Sequence, residues 1–296
     1  LSARVALVTA RAARGLDEDM PPLVAALEAL GAHAQIADWD DPAVEWQRFD
    51  CALLRSAWDY AERHTEFLAW TARVAHLTRL VNPESVVRWN TDKHYLLELT
   101  RAHAPVVATR CVEPGESAAS ALAEFLAAEP GAELVVKPAV GAGSRDARRH
   151  ARTARPAATA HIEALLAAGR SVLLQPYLES VDRDGETALV WFEGRFSHAV
   201  RKGPLLPAGA ASTTALFAPE EITARTPAAD ELEAGERVLR ALPFEAPLYA
   251  RIDLIRDRAG RSLLLELELT EPSLFFAHAP GSAERFGRAL LRRYVK

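Results

Sequence analysis

The sequence predicts an α/β fold that becomes α+β in its C-terminal part. Apolar strands alternate with helical segments as far as Gln175, the pattern of βαβ-type units. The last third instead holds two β-hairpins, one around Glu193-Gly194 and one around a turn ending in Gly260. A length of 296 residues is enough for two or three such units.

In order, Arg4–Thr9 reads as a buried strand, followed by a polar loop and a helix from about Pro21 to Leu30 that stops at Gly31. Ala34–Ala37 and Ala52–Leu54 are short strands. Asn90-Thr91-Asp92 supplies cap residues for a helix running to about His103. Then come a strand near Val106–Cys111, a helix over about Ser117–Ala128, a strand at Leu134–Lys137, a helix over about Thr159–Ala168 and a strand at Val172–Gln175. The hairpins pair Thr187–Phe192 with Arg195–Val200, and Tyr249–Arg256 with Arg261–Thr270. A helix over about Ala283–Tyr294 ends the chain. The expected partition is an N-terminal βαβ domain (1–85), a central subdomain with a glycine loop (86–178) and a C-terminal subdomain with the second hairpin (179–296).

Composition narrows the function. The formal net charge of −5 gives no positive field for nucleic acid. No apolar run approaches the roughly 20 residues of a membrane span. The opening segment lacks the hydrophobic region of a signal peptide, and the absent initiator Met suggests trimmed ends. Two cysteines, Cys51 and Cys111, make neither a disulfide framework nor a complete zinc site, so a cytoplasmic setting is expected. No GxGxxG follows the first strand, which leaves a dinucleotide site unsupported. Of 35 basic residues only four are lysines: Lys93, Lys137, Lys202 and Lys296. In a chain so rich in arginine, lysine is expected where a compact ammonium does what a planar guanidinium cannot.

Three of those lysines fall in motifs. Lys137 ends a strand and is followed by Gly141-Ala142-Gly143-Ser144, whose glycines let backbone N–H groups approach phosphate oxygens. The spacing is not that of a Walker loop. Lys93 is placed in the first turn of its helix, where the macrodipole disfavours a cation unless an anionic ligand sits beside it. In the second hairpin, side-chain alternation puts Glu266 and Glu268 on one face. With a turn at Asp257–Gly260, Asp253 opposes Leu264 and lies diagonal to Glu266 on that face. Three carboxylates together need a counter-charge, and oxygen ligands favour Mg²⁺.

The apolar, extended run through Gln175, Pro176, Tyr177 and Leu178 suits an inter-lobe strand offering backbone groups to adenine, with Glu186 placed for ribose hydroxyls. Arg201, ending the first hairpin beside Lys202, is expected to stabilise charge on a transferring phosphoryl group. Arg55 follows a strand in the first domain and is expected to touch substrate. The arginines from Arg145 to Arg155 form either a basic lid or a solvated helix face. The histidines make no metal-ligand spacing, and no nucleophile–histidine pair stands out.

Taken in chain order, these motifs resemble the ATP-grasp superfamily over essentially the whole chain. The resemblance implies three domains with ATP clamped between the central and C-terminal ones. It implies ATP and Mg²⁺ as cofactors, two ions with Mn²⁺ able to substitute. Lys93 and Lys137 would bind α- and β-phosphates, Lys137 and Arg201 acting in catalysis, and Gly141, Gly143 and Ser144 would cover the phosphates. Gln175, Pro176, Tyr177 and Leu178 would form the adenine hinge, Glu186 the ribose contact, and Asp253, Glu266 and Glu268 the metal ligands. Many relatives carry Asn at the position of Glu268. Within the superfamily, Arg55–Tyr60, Phe196–Lys202 and Glu266–Ser273 are similar to the cyclo-ligases acting on O-ureido-D-serine, which adds Arg55 and Ser273 as substrate contacts. That reading implies antibiotic biosynthesis with a small amino-acid-like partner, no nucleic acid and no membrane, homo-oligomerisation being left open. The alternatives are a ligase joining two separate small molecules and a non-catalytic ATP-binding regulatory protein.

Overall fold

The computed structural model describes residues 2–204, 206 and 220–295. Three sheets follow one another along the chain. The first comprises β1 (Arg4–Thr9), α1 (Met20–Ala29), β2 (His33–Asp38), β3 (Cys51–Ser56), α2 (His64–Ala75) and β4 (Arg79–Val81). Its strands are parallel in the order β2-β1-β3-β4, so β1 and β3 are central and almost wholly buried. That burial on both faces is why they read as unbroken apolar runs. Helix α1 stops where Gly31 takes φ +81°, a conformation that disfavours a Cβ.

Next come two helices where one was expected: α3 (Glu84–Asn90) and α4 (Tyr95–Arg101). Asn90 does not cap a helix start. It ends α3, and its side-chain amide is used elsewhere (below). Asp92 does serve the next turn, its Oδ1 accepting from the His94 N–H at 3.1 Å. Lys93 therefore precedes the helix rather than sitting in its first turn.

The second sheet is antiparallel, β5-β8-β6-β7, formed by β5 (Arg110–Val112), α5 (Ala118–Ala128), β6 (Glu133–Pro138), β7 (Arg148–Ala151), α6 (Arg155–Ala167) and β8 (Val172–Pro176). Ser117 caps α5, accepting from the Ser120 N–H at 3.3 Å. The arginines after the glycine loop share no single surface: Arg145 stays in the loop, Arg148 and Arg149 enter β7, Arg152 follows it and Arg155 opens α6. Arg149 chelates Glu133 and lies 3.6 Å over the Tyr177 ring, and Arg152 donates to the Leu126 and Glu129 carbonyls at the end of α5.

After α7 (Ser180–Asp184), the third sheet has the order β11-β10-β9-β12-β13, from β9 (Glu186–Phe192), β10 (Arg195–Lys202), β11 (Ile222–Arg225), α8 (Ala229–Arg240), β12 (Tyr249–Arg256) and β13 (Ser262–Glu268). Helix α9 (Ser282–Tyr294) returns to pack against α1, joining the first and third sheets through one apolar core. Among the described residues, no helix is long and apolar enough to cross a membrane.

Two bulges in this sheet move the site. The tight Glu193-Gly194 turn pairs Phe192 with Arg195, and continuing that register would set Glu186 opposite Arg201. A shift between Phe196 and His198 instead sets Glu186 opposite Lys202. In the second hairpin Arg256 pairs with Ser262, one residue beyond the expected register, and a bulge at Leu265 adds one more. The two shifts cancel in parity. Asp253 still shares a face with Glu266, but directly opposite it rather than diagonal, and Arg251 faces Glu268.

As an edge strand β13 would leave backbone groups unpaired. Other parts of the chain cover that edge. The Tyr95 hydroxyl accepts from the Leu267 N–H at 2.9 Å, Asn90 donates to the Leu267 carbonyl and accepts from the Leu269 N–H, and the Leu264 N–H reaches the Pro105 carbonyl. Asn82, fully buried at the end of β4, likewise donates to the Tyr249 and Leu269 carbonyls and accepts from the Leu248 N–H. These contacts hold the backbone that carries Glu266 and Glu268.

Helix α8 lies on the opposite face of the sheet. A Cβ added to Gly235 would come 2.9 Å from Leu189 Cδ1 and 3.0 Å from Trp191 Cζ2, both side chains being buried. Gly235→Ala is expected to lower stability: overpacking costs about 1–3 kcal/mol, against about 1 kcal/mol gained in helix propensity. Urea unfolding measures the balance. A more stable variant would mean that α8 can lift without loss of packing.

Candidate active site

A cavity of about 550 Å³ lies where the second and third sheets face one another, with the first sheet's loops closing one end. That volume falls within the range of small-molecule sites. Three of the chain's four lysines line it: Lys93, Lys137 and Lys202.

Each lysine is positioned differently. The Lys93 N–H donates to the Ala139 carbonyl, while its Nζ donates to the Gly141 carbonyl at 2.6 Å and lies 3.1 Å from Glu266 Oε1. Lys93 thus ties the second sheet's glycine loop to the third sheet. Lys137 ends β6 and makes no hydrogen bond or ion pair with the described residues. Burial, with Lys93 and Lys202 nearby, lowers its pKa. Lys202 Nζ lies 2.9 Å from Asp253 Oδ2 and 3.2 Å from Glu186 Oε2.

The glycine loop runs over the cavity, with Gly143 and Ser144 at φ +61° and +60°. Arg145 ion-pairs with Glu62, and Val140 and Ala142 pack against the first sheet's core. Gln175, Pro176, Tyr177, Leu178, Glu186 and Ser273 all line the cavity.

Three expected site residues do not reach it. Arg201 points to the other face of β10, its Nε donating to the Asp184 carbonyl at 3.1 Å, because the bulge hands the inward position to Lys202. Arg55 is fully buried behind the wall. It donates from Nη1 to the Pro272 carbonyl at 3.1 Å and from Nη2 to Asp19 Oδ2 at 3.3 Å, so both terminal nitrogens are engaged within the fold. Asp253 is also fully buried, and both carboxylate oxygens are bound at 2.9 Å by Arg251, one of them by Lys202 as well.

Electrostatics separate the carboxylates. Burial raises the Asp253 pKa, but Arg251 and Lys202 outweigh it and bring the value down to about 2. Burial likewise opposes ionisation of Glu266, and Lys93 with Lys137 more than offset this. Glu268, half-buried, is pushed up to about 7 by desolvation, with Asp253 and Glu266 adding to it, even though Arg251 bonds it. Glu271, buried near Glu268, rises to about 8. Desolvation is the first cause of both rises, with the neighbouring carboxylates adding to it. Among the described residues no three carboxylate, histidine or cysteine side chains are arranged to hold a metal by themselves. Glu266 and Glu268 facing the cavity do fit an oxygen-liganded divalent ion shared with phosphate oxygens, the usual mode for Mg²⁺.

The sequence reading missed Arg251, Glu271 and Asp17. Arg251 stands two residues from Asp253 on one strand face, so alternation could have found it. Asp17 and Glu271 come together only in the fold.

The chain is an ATP-grasp ligase: its fold matches that class end to end, and the site lies between its two antiparallel sheets. The structure of the ATP-grasp ligase PsnB with a phosphomimetic precursor variant, Mg and ADP superposes over 99% of both chains with TM-score 0.65 at 17% identity, a likeness of fold. A model of the N-terminal domain of D-cycloserine synthetase DcsG matches residues 5–82. The cycloserine biosynthesis protein DcsG of Streptomyces lavendulae is 43% identical over 296 residues, 98% of each chain. The crystal structure of D-cycloserine synthetase DcsG superposes with TM-score 0.93 at 42% identity, over 99% of this chain and 100% of that one. The chain belongs to the DcsG family.

Proposed function

We propose that the protein is an ATP-dependent cyclo-ligase that converts O-ureido-D-serine to D-cycloserine. The observation that carries the chemistry is the convergence of Lys93, Lys137 and Lys202 with Glu266 and Glu268 on one cavity under a glycine loop. Full-length similarity to the D-cycloserine synthetase supports the substrate.

Adenine lies along Gln175–Leu178, with the ribose near Glu186. Lys93 and Lys137 hold phosphate oxygens, and Gly141, Gly143 and Ser144 cover them. Lys202 takes the place expected of Arg201 in offsetting charge near the transferring phosphoryl group. Glu266 and Glu268 hold Mg²⁺, which when bound draws charge from the phosphate oxygens.

The substrate carboxylate attacks the γ-phosphorus, ADP leaves, and an acyl phosphate forms. The ureido nitrogen bonded to oxygen then attacks the acyl carbon, expelling phosphate and closing the isoxazolidinone ring. Water removes the carbamoyl group as carbamate, which yields CO₂ and NH₃. Tethering nucleophile to electrophile supplies an effective molarity of about 10⁵ M or more. The loop held by Lys93 and Arg145 keeps water from the acyl phosphate.

The test is ADP release with ATP, Mg²⁺ and O-ureido-D-serine alone. Turnover with this single amino acid, and a cyclic product by mass, is the expected result. Release that begins only on adding a second amine would replace this reading with a ligase joining two molecules. No release with any carboxylate would leave a non-catalytic ATP-binding protein.

A further inference from the structure

We propose that Glu271, with Asp17 lining the same cavity, is the subsite that receives the α-ammonium of the amino-acid substrate; the inference rests on the reading that this cavity turns over an amino acid. Besides Lys93, Lys137 and Lys202, the cavity is lined by the loop before α1 and the segment after β13, with Trp58 and Tyr60.

The carboxylates of these two segments are not equivalent. Asp19 is consumed by the fold, accepting from the backbone N–H groups of Leu274, Phe275 and Phe276 and from Arg55. Asp17 is only half satisfied. One oxygen accepts from the Asp19 N–H at 3.0 Å, whereas Oδ2 has no hydrogen-bond donor and only Arg55 at 3.6 Å, in a residue 5% exposed. The Glu271 side chain has no hydrogen bond or ion pair with any described residue, although Glu271 is 8% exposed and lines the cavity.

Arg55 holds these groups together. It binds the Pro272 carbonyl on one side and the Asp17–Asp19 loop on the other, and Trp58 Nε1 donates to the Glu271 carbonyl at 3.3 Å. The Arg55 guanidinium ion-pairs with Asp17 and Asp19 and not with Glu271. A buried carboxylate without a partner is costly unless a ligand supplies the missing donor and charge. An ammonium supplies both. Glu271 lines the same cavity as the three lysines, so an amino acid held there by its ammonium has its carboxylate in the cavity where the phosphoryl group is to arrive. Pairing with a buried charge also rejects carboxylic acids that lack an ammonium.

The test compares wild type with Glu271→Gln, and with Asp17→Asn as a second variant, each checked for unchanged melting and ATP binding. ADP release is measured against O-ureido-D-serine, its analogue with hydrogen in place of the ammonium, ATP and Mg²⁺. Glu271→Gln is expected to raise KM for the amino acid about 10- to 100-fold while KM for ATP stays within about twofold, and to cut the preference for amino over desamino substrate by a similar factor. Asp17→Asn acts in the same direction, more weakly. An unchanged preference, or an effect confined to Mg²⁺ dependence, overturns the subsite and assigns Glu271 to the metal. A panel of other amino acids separates the two readings. If O-ureido-D-serine is inert but another amino acid raises the melting temperature of wild type and not of Glu271→Gln, the substrate reading fails and the subsite stands. If no amino acid binds, both fall.

Discussion

Lys137→Met abolishes ADP release while leaving the protein as stable as before, or more so. Lys137 makes no hydrogen bond or ion pair with the described residues, and burial depresses its pKa, so the folded chain gains little from its charge. A group that costs desolvation without serving the fold serves a ligand. Removing one preorganised charge from a phosphoryl-transfer site lowers the rate about 10²- to 10³-fold. Lys137→Arg is not expected to rescue, because a planar guanidinium neither fits nor points as a compact ammonium does. Steady-state ADP release and thermal unfolding are measured on the same preparations. Turnover within about twofold of wild type would remove Lys137 from the phosphate site. Lost activity with collapsed stability would make its role structural.

The second large effect runs the other way. Asp253→Ala is expected to cost about 3–5 kcal/mol of stability, because the buried Arg251 and Lys202 lose the acceptor they share and keep Glu268 and Glu186. Glu268→Gln, which changes a carboxyl already close to neutrality, is expected to leave urea unfolding nearly unchanged while impairing turnover. The contrast separates an acid that holds the cation pair in place from one that faces the cavity. Should Asp253→Ala unfold like wild type and differ only in its Mg²⁺ requirement, Asp253 would belong with the metal ligands after all.

Much of the fold was legible because its signals are local. The buried run Arg4–Thr9, the start of the helix near Ser117 and the Glu193-Gly194 turn each depend on neighbours within a few residues, and each stands where the sequence placed it. The Asn90 cap misled for an equally physical reason. Asn90 has a side-chain amide that can cap a helix or bridge a strand edge, and the distant β13 edge claims it. Arg55 misled likewise, since a strand-end arginine looks free until Asp17, Asp19 and the Pro272 carbonyl fold onto it.

By itself the sequence determined the class of chemistry: scarce lysines beside a glycine loop, and two glutamates on one strand face. Only the tertiary structure decided which charges enter the cavity. A strand alternates with period two, so a single inserted residue exchanges inside for outside. The bulge between Phe196 and His198 sends Arg201 out and Lys202 in, while two shifts in the second hairpin cancel and keep Asp253 on the face of Glu266.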